Sequence, residues 1–539
     1  MHKDHNEEYR YGSARWATER EMRRAGLFKE SGIFIGFHGK KRVYSDGDAP
    51  VIVVAGAGGG KMASFMAYNL CAGSGEEHEV IIDLRGELAA TSIQSLIRTN
   101  VYCYIFNPFR LHGLPQDRMN IFDLLDPIDE RLHTNAQLMA ESIIELSGAG
   151  SGKFFELRAI AWLKAILIAL TLRDGYVDAT TLMEAINSIE SDAIKWASLL
   201  EFMLNCKFED VQSIAGEMLA KQQDNPQQFG SFVAEIYAYT SFLNDPVIKA
   251  SLSDPTFSLK AITSHEQIAK IFIVIPAEYI NQLRALVKLV GTNVMLYKAQ
   301  SPDSPRVVLY VDEAGQLGRA DFLMRAFTYG RGLGLRAVAL FQSIAQIKHN
   351  YYPEAVQEFM SSAATRLYFG VRDFDTAKLI SDMAGYQTLQ YKTLKQDEAA
   401  KKKVEQIRDV FFNGADPLIA GKAHQYYDKV ENTRDKQTRK LITPDEVLNM
   451  SEDRAIVFMS GKNLHPMQID KRPYYLERSM AGLYMPNPYH PPTDKVLIKA
   501  KWGTRWKKVI TEPVPQEFAH YPQYASGEWK YIEGFRPKI

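Results

Sequence analysis

At 539 residues, 46% of them hydrophobic, the chain is too long for one compact core and too apolar for disorder, so two or more packed units are expected. Its 64 Lys and Arg equal its 64 Asp and Glu, so net charge draws it to no partner and any nucleic-acid contact must come from a local basic patch. Cys71, Cys103 and Cys206 are scattered and form no CxxC or Cys/His cluster, which argues against a zinc or disulfide framework and fits reduced thiols in a cytosolic compartment.

The opening residues 1–8 have no apolar stretch and are not a secretory signal. The longest apolar run, residues 162–172, is interrupted by Lys164 and falls short of the roughly 20 residues needed to cross a bilayer, so no transmembrane helix is expected. A leading segment, 1–44, runs into the first apolar strand at 51–54. That strand continues as Ala55-Gly-Ala-Gly-Gly-Gly-Lys-Met62, a glycine loop ending in Lys and followed by a helix start. Gly56, Gly58, Gly59 and Gly60 let consecutive backbone N–H groups converge on phosphate oxygens, and Lys61 reaches the β- and γ-phosphates. The pattern is incomplete: Ala55 stands where the first glycine belongs, and Met62 where a magnesium-binding Ser or Thr is usual. Glycine loops also serve as plain turns.

Strands are expected at 80–83 and 101–106, then a buried helix over 154–172, with Thr181 opening a further helix as a capping box to Glu184. Residues 174–254 show helical periodicity and no convincing strand, which reads as an all-α insertion. Strands return at 271–275, 307–311, 337–341 and 365–369, each followed by a helical pattern, as in a mainly parallel α/β sheet. The expected units are thus a nucleotide-binding domain in two parts, 45–173 and 255–484, the insertion between them, and a tail over 485–539.

The strand at 307–311 ends in Asp312-Glu313. In phosphate-transferring motors the first carboxylate orients a magnesium shell and the second polarises the attacking water; an Asp-Glu pair also caps helices. The next strand ends in Gln342, placed either to sense a γ-phosphate or simply to meet solvent. Arg331, on the glycine-flanked loop Tyr329-Gly-Arg-Gly-Leu-Gly334, can offer its guanidinium across a subunit boundary or be an ordinary surface arginine. Residues 395–403 are a mixed charge run, read as a solvated helix or loop. Beyond the cluster Pro486, Pro488, Pro491 and Pro492, residues Trp502, Arg505, Trp506, Lys507 and Lys508 read as a half-buried strand or docking tail in preference to a nucleic-acid platform.

Taken together, the chain resembles the type IV secretion coupling proteins, the TraG/TraD conjugative DNA-transfer ATPases. The resemblance rests on Tyr11-Gly-Ser-Ala-Arg-Trp-Ala17, Ile82-Asp-Leu-Arg-Gly-Glu-Leu88, Asn107-Pro-Phe109, Asn120-Ile-Phe-Asp-Leu-Leu-Asp126 and Lys153-Phe-Phe-Glu156. It continues through Val311-Asp-Glu-Ala-Gly-Gln-Leu-Gly318, Phe341-Gln-Ser-Ile-Ala-Gln346, Phe369-Gly-Val-Arg-Asp-Phe-Asp-Thr-Ala377 and Arg439-Lys-Leu-Ile-Thr-Pro-Asp-Glu446. It implies a RecA-like P-loop NTPase with an inserted all-α domain, assembled as a homo-hexamer at the cytoplasmic face of the bacterial inner membrane. It implies ATP and Mg2+ as cofactors, relaxase-bound single-stranded DNA or protein effectors as cargo, and the components of a secretion channel as partners. By motif position it assigns phosphate binding to Lys61, metal and water work to Asp312 and Glu313, sensing to Gln342 and the trans arginine to Arg331. The chain departs from the family pattern in lacking the usual N-terminal anchor, in reading Asp83-Leu-Arg-Gly-Glu87 in place of Asp-Pro-Lys-Gly-Glu, and in its P-loop. Two rivals to an ATP-hydrolysing motor are a non-hydrolysing receptor on the same scaffold and a general DNA translocase.

Overall fold

Strands built from β-branched runs without polar alternation suit a sheet covered on both faces. The computed structural model of the chain describes residues 11–73, 75–93, 100–146, 152–391, 394–412, 414, 416–432 and 435–537, so the opening residues 1–8 read above lie outside the described residues. All seven expected strands form. In chain order the strands are β1 (Ile33–His38), β2 (Lys41–Ser45), β3 (Val51–Ala55), β4 (His78–Asp83), β5 (Tyr102–Phe106), β6 (Ala269–Val274), β7 (Val307–Val311), β8 (Leu335–Phe341) and β9 (Thr365–Phe369), followed by β10 (Tyr386–Tyr391), β11 (Asp435–Lys440), β12 (Arg454–Met459), β13 (Met467–Asp470), β14 (Lys495–Lys499), β15 (Thr504–Pro513) and β16 (Glu528–Ile532).

Eleven of these make one sheet, in the order β2-β1-β13-β12-β9-β3-β8-β7-β4-β6-β5. The block from β9 to β5 is parallel throughout and contains the expected strands. β12, β13, β1 and β2 extend it with antiparallel pairings absent from the sequence reading. The period-two alternation of a strand divides the core: on β3, Ile52 and Val54 join one apolar cluster, and Val51, Val53 and Ala55 join another on the opposite face. One ion pair crosses the parallel block, where Glu79 of β4 faces its register partner Lys270 of β6 at 2.7 Å, both side chains buried.

The interval between β5 and β6 is helical among the described residues. Its centre is the helix Gly152–Asp174, apolar around most of its circumference and so enclosed by other helices instead of lying on the surface. Trp162 packs its ring against Phe229 and Phe232 of the helix Pro226–Thr240. Thr181 does not open the next helix. Asp178 is its N-cap, accepting from the Thr181 backbone N–H at 2.7 Å, so Ala179–Ser191 starts earlier than the Thr-x-x-Glu pattern suggested. A carboxylate at the N-cap outcompetes a hydroxyl three residues on, and the Thr181 hydroxyl oxygen accepts from the Asp178 backbone N–H at 2.9 Å to close the box.

Two later segments lie outside the eleven-stranded sheet. The charge run 395–403 lies in the helix Leu394–Phe412, which pairs with Pro417–Asn432 as a hairpin between β10 and β11. The residues read as a tail form a three-stranded antiparallel sheet, β14-β15-β16. Val496 and Ile498 of that sheet pack with Phe34, Phe37 and Tyr68, so it is joined to the main body by a common core. Gln523 fastens it to the edge strand: its Oε1 accepts from the Cys103 N–H at 3.0 Å and its Nε2 donates to the Val101 carbonyl at 3.1 Å. Those contacts satisfy backbone groups that an edge strand leaves open.

Candidate functional site

The glycine loop follows β3, between β9 and β8. Its glycines are needed for different physical reasons. A Cβ at Gly56 would lie 2.2 Å from the Gly370 carbonyl oxygen, because the turn after β9 presses on the loop. Gly58 and Gly60 have φ of +71° and +84°, backbone that side chains with a Cβ rarely adopt. The loop then enters a π-helical turn, Met62–Met66. Met62 lines the cavity beside the loop, whereas Ser64 is buried beneath Gly60 and does not line it.

Lys61 and the tips of β7 and β8 converge here. Lys61 Nζ donates to Glu313 Oε1 at 2.7 Å, and Gln342 Nε2 donates to Glu313 Oε2 at 2.7 Å. Glu313 stands at the N-cap position of the short 3-10 helix Ala314–Leu317 but its side chain does not cap it: that side chain is held by these two donors, and its backbone sits in the left-handed region at φ +53°. Such a conformation in a non-glycine residue costs about 1–3 kcal/mol and persists where the surroundings impose it. Beside it, Asp312 is partly buried; the low-dielectric surroundings push its carboxyl up to about 7, the Glu313 carboxylate adds to that, and Lys61 opposes it. Asp83, fully buried at the tip of β4, is pushed up to about 6 by burial, even though its carboxylate accepts from the Ala89 and Arg85 N–H groups. Those bonds fold the Asp-Leu-Arg-Gly-Glu turn over the same cavity, where Arg85 and Glu87 line the wall.

Arg331 is not brought to this site. It sits before β8, exposed and paired with Asp48 at 3.0 Å, while Gln342 follows the strand's other end. A strand of that length separates them by roughly 20 Å.

The structure adds a second lysine to which no local pattern of residues pointed. Lys471, just after β13, is buried behind the loop: its Nζ donates to the Gly59 carbonyl at 2.7 Å and lies 4.1 Å from the centroid of the Phe369 ring. Burial pulls its ammonium down to about 8. Also unforeseen is the far wall of the cavity, about 620 Å³ in volume, to which Tyr475, Lys495 and Trp506 contribute. Trp506 was legible within the cluster of residues 502–508, but nothing local tied it to the glycine loop, and Lys495 was not singled out.

A family model described as "Type IV secretory system Conjugative DNA transfer" matches residues 15–494. Among curated relatives, a probable conjugal transfer protein TraG of Sinorhizobium fredii is 23% identical over 427 residues, covering 77% of this chain and 61% of the relative. A conjugal transfer protein TraG of Escherichia coli is 21% identical, covering 92% and 81%, and the type IV secretion system-coupling protein VirD4 of Bartonella quintana is 22% identical, covering 71% and 57%. The chain therefore spans less than two thirds of the first and the last of these relatives. A solved structure of the plasmid coupling protein TrwB in complex with ADP and Mg2+ superimposes with a TM-score of 0.56 at 15% identity, covering 85% of this chain and 93% of that one. The unbound TrwBdeltaN70 gives 0.57 at 16% identity, with coverage of 85% and 92%. The likeness shows a shared fold, the expected RecA-like α/β architecture with its helical domain. Among the described residues no helix is long and apolar enough to cross a membrane.

Proposed function

Because the chain belongs to the type IV secretory system conjugative DNA-transfer family, we propose that it is a coupling protein, an ATP-hydrolysing motor that delivers relaxase-bound DNA or protein effectors to a secretion channel. The single observation that carries this reading is the network at the tips of β3, β7 and β8: a glycine loop, its lysine, a carboxylate and a glutamine within hydrogen-bonding reach, next to a partly buried aspartate.

The loop N–H groups and Lys61 bind the phosphates. Lys61 is ion-paired with Glu313, so phosphate binding exchanges one anionic partner for another and releases Glu313. Glu313 then orients a water molecule and takes its proton at Oε1, with Gln342 keeping hold of Oε2. The donors fit Mg2+, which takes oxygen ligands from one or two carboxylates, phosphates and water. Asp312 is the residue to hold it, since a neighbouring dication favours the ionised carboxylate that its surroundings disfavour. When bound, the ion neutralises charge on the phosphate oxygens. Arg331 faces away from its own site and serves a neighbour's γ-phosphate in a homo-hexameric ring at the cytoplasmic face of the inner membrane.

The rival, a non-hydrolysing receptor, is favoured by Met62, whose thioether lines the cavity and is a poor magnesium ligand. Multiple-turnover phosphate release by the purified chain, with and without single-stranded DNA, separates the two. DNA-stimulated release that is abolished by Glu313→Gln supports the motor; nucleotide binding without release supports the receptor.

A further inference from the structure

We propose that the C-terminal β-sheet completes the nucleotide site within the same chain, with Trp506 as the platform on which the base stacks. The inference rests on the glycine loop being a triphosphate site. It concerns β14, β15 and β16, which follow the last residue matched by the family model, 494.

One cavity has two chemically different ends. Gly58, Gly59, Gly60 and Lys61 form the phosphate end, rich in backbone donors and closed by a cation. The opposite wall comes from residues more than four hundred positions downstream, among them Tyr475, Leu497 and Trp506, and is largely apolar and aromatic. A nucleoside triphosphate has the same polarity, an anionic tail and a flat base.

The direction of Trp506 is fixed by the sheet. Leu497 and Trp506 are direct cross-strand partners in β14 and β15, so their side chains share one face. Along β14, Ile498 points the other way, into the core with Phe34 and Phe37, and Val496 joins that core while also bordering the cavity. Strand alternation therefore turns Leu497 and Trp506 toward the cavity. Trp506 is 51% exposed and so not committed to the core. Lys495 Nζ lies 5.5 Å from its centroid and lines the same cavity, restraining the ring by a cation–π contact.

The wall is anchored. The Met485 N–H donates to the Thr91 carbonyl at 2.9 Å, and Asn487 Nδ2 donates to Glu87 Oε1 at 2.6 Å, tying the start of the segment to the turn that lines the cavity. Gln523 ties its far end to β5. A platform fixed at both ends loses little freedom when a base arrives, and stacking on it tolerates any base because every base presents a π-face.

The test is a calorimetric titration of the full chain with ATP and with inorganic tripolyphosphate, which has the tail but no base. Trp506→Ala should weaken ATP about tenfold or more while leaving tripolyphosphate within about twofold, and Trp506→Phe should recover most of the loss. Unchanged ATP affinity in Trp506→Ala overturns the proposal, as does an equal loss for both ligands, which would make the residue structural. Lys61→Ala should weaken both ligands; if it binds both as wild type does, the phosphate site itself is misassigned and the stacking proposal falls with it.

Discussion

Replacing Asp312 with Asn removes a charge that the fold holds at a cost, so the nucleotide-free protein should become more stable at pH 8 while its turnover is abolished. The carboxyl is raised from an ordinary value of 3.8 to about 7. A raised folded-state value means the unfolded chain gives up the proton first, so stability is intact below about pH 4 and drains away as pH climbs toward 7. Three pH units at about 1.4 kcal/mol each set a ceiling of about 4 kcal/mol. Asp312 retains some contact with solvent, which reduces the expected gain to about 2 kcal/mol. For a chain of 539 residues unfolding as one unit, that is about 2 °C in Tm. The assay is scanning calorimetry of wild type and Asp312→Asn, nucleotide-free, from pH 4 to pH 8, paired with phosphate release. The difference should widen with pH and shrink to near nothing around pH 4. A constant difference between the proteins, or a wild type that is the more stable at pH 8, would refute the assignment of Asp312 as an ionisable group strained by its surroundings.

Met62→Thr restores a hydroxyl beside Lys61 and should lower the magnesium requirement for turnover at least about tenfold, read from a magnesium titration of ATPase rate; no change would mean that the metal shell is completed elsewhere. Arg331→Ala should cost about 10³–10⁵ in turnover if it acts on a neighbour's phosphate, and mixing it with Lys61→Ala subunits should restore activity through composite sites; no recovery in mixtures shown to co-assemble counts against the trans role. Lys270→Met strands the buried Glu79 carboxylate and should cost about 3–5 kcal/mol of stability in denaturant titration, most of it regained in Lys270→Met/Glu79→Leu; equal losses in the single and double variants would dismiss the pair as the cause.

The parallel block was legible because a strand buried on both faces is written as a continuous apolar run, and β7 and β9 were read at their observed bounds. The glycine loop was legible for a related reason: the positive φ at Gly58 and Gly60 is a property of single residues, printed locally. Asp312, Glu313 and Gln342 were visible as polar residues at strand ends, and their side chains do point into one site. The antiparallel extension was missed because β2 and β13 mix charged and apolar residues like ordinary loops. Where Arg331 lies relative to its own site was also invisible, since it depends on which end of β8 meets the loop. Lys471 touches Gly59 from 412 residues away, and Gln523 reaches Cys103 from 420. Trp506 read as part of a half-buried tail, since its β14 neighbours find their core partners, Phe34, Phe37 and Tyr68, at the other end of the chain. Backbone conformation and strand character are set by residues within a few positions of one another, and the sequence determined those. Which distant groups share a cavity follows from strand order and from what packs on each edge, and only the tertiary structure decided that, because no short stretch of residues encodes its neighbour in the sheet.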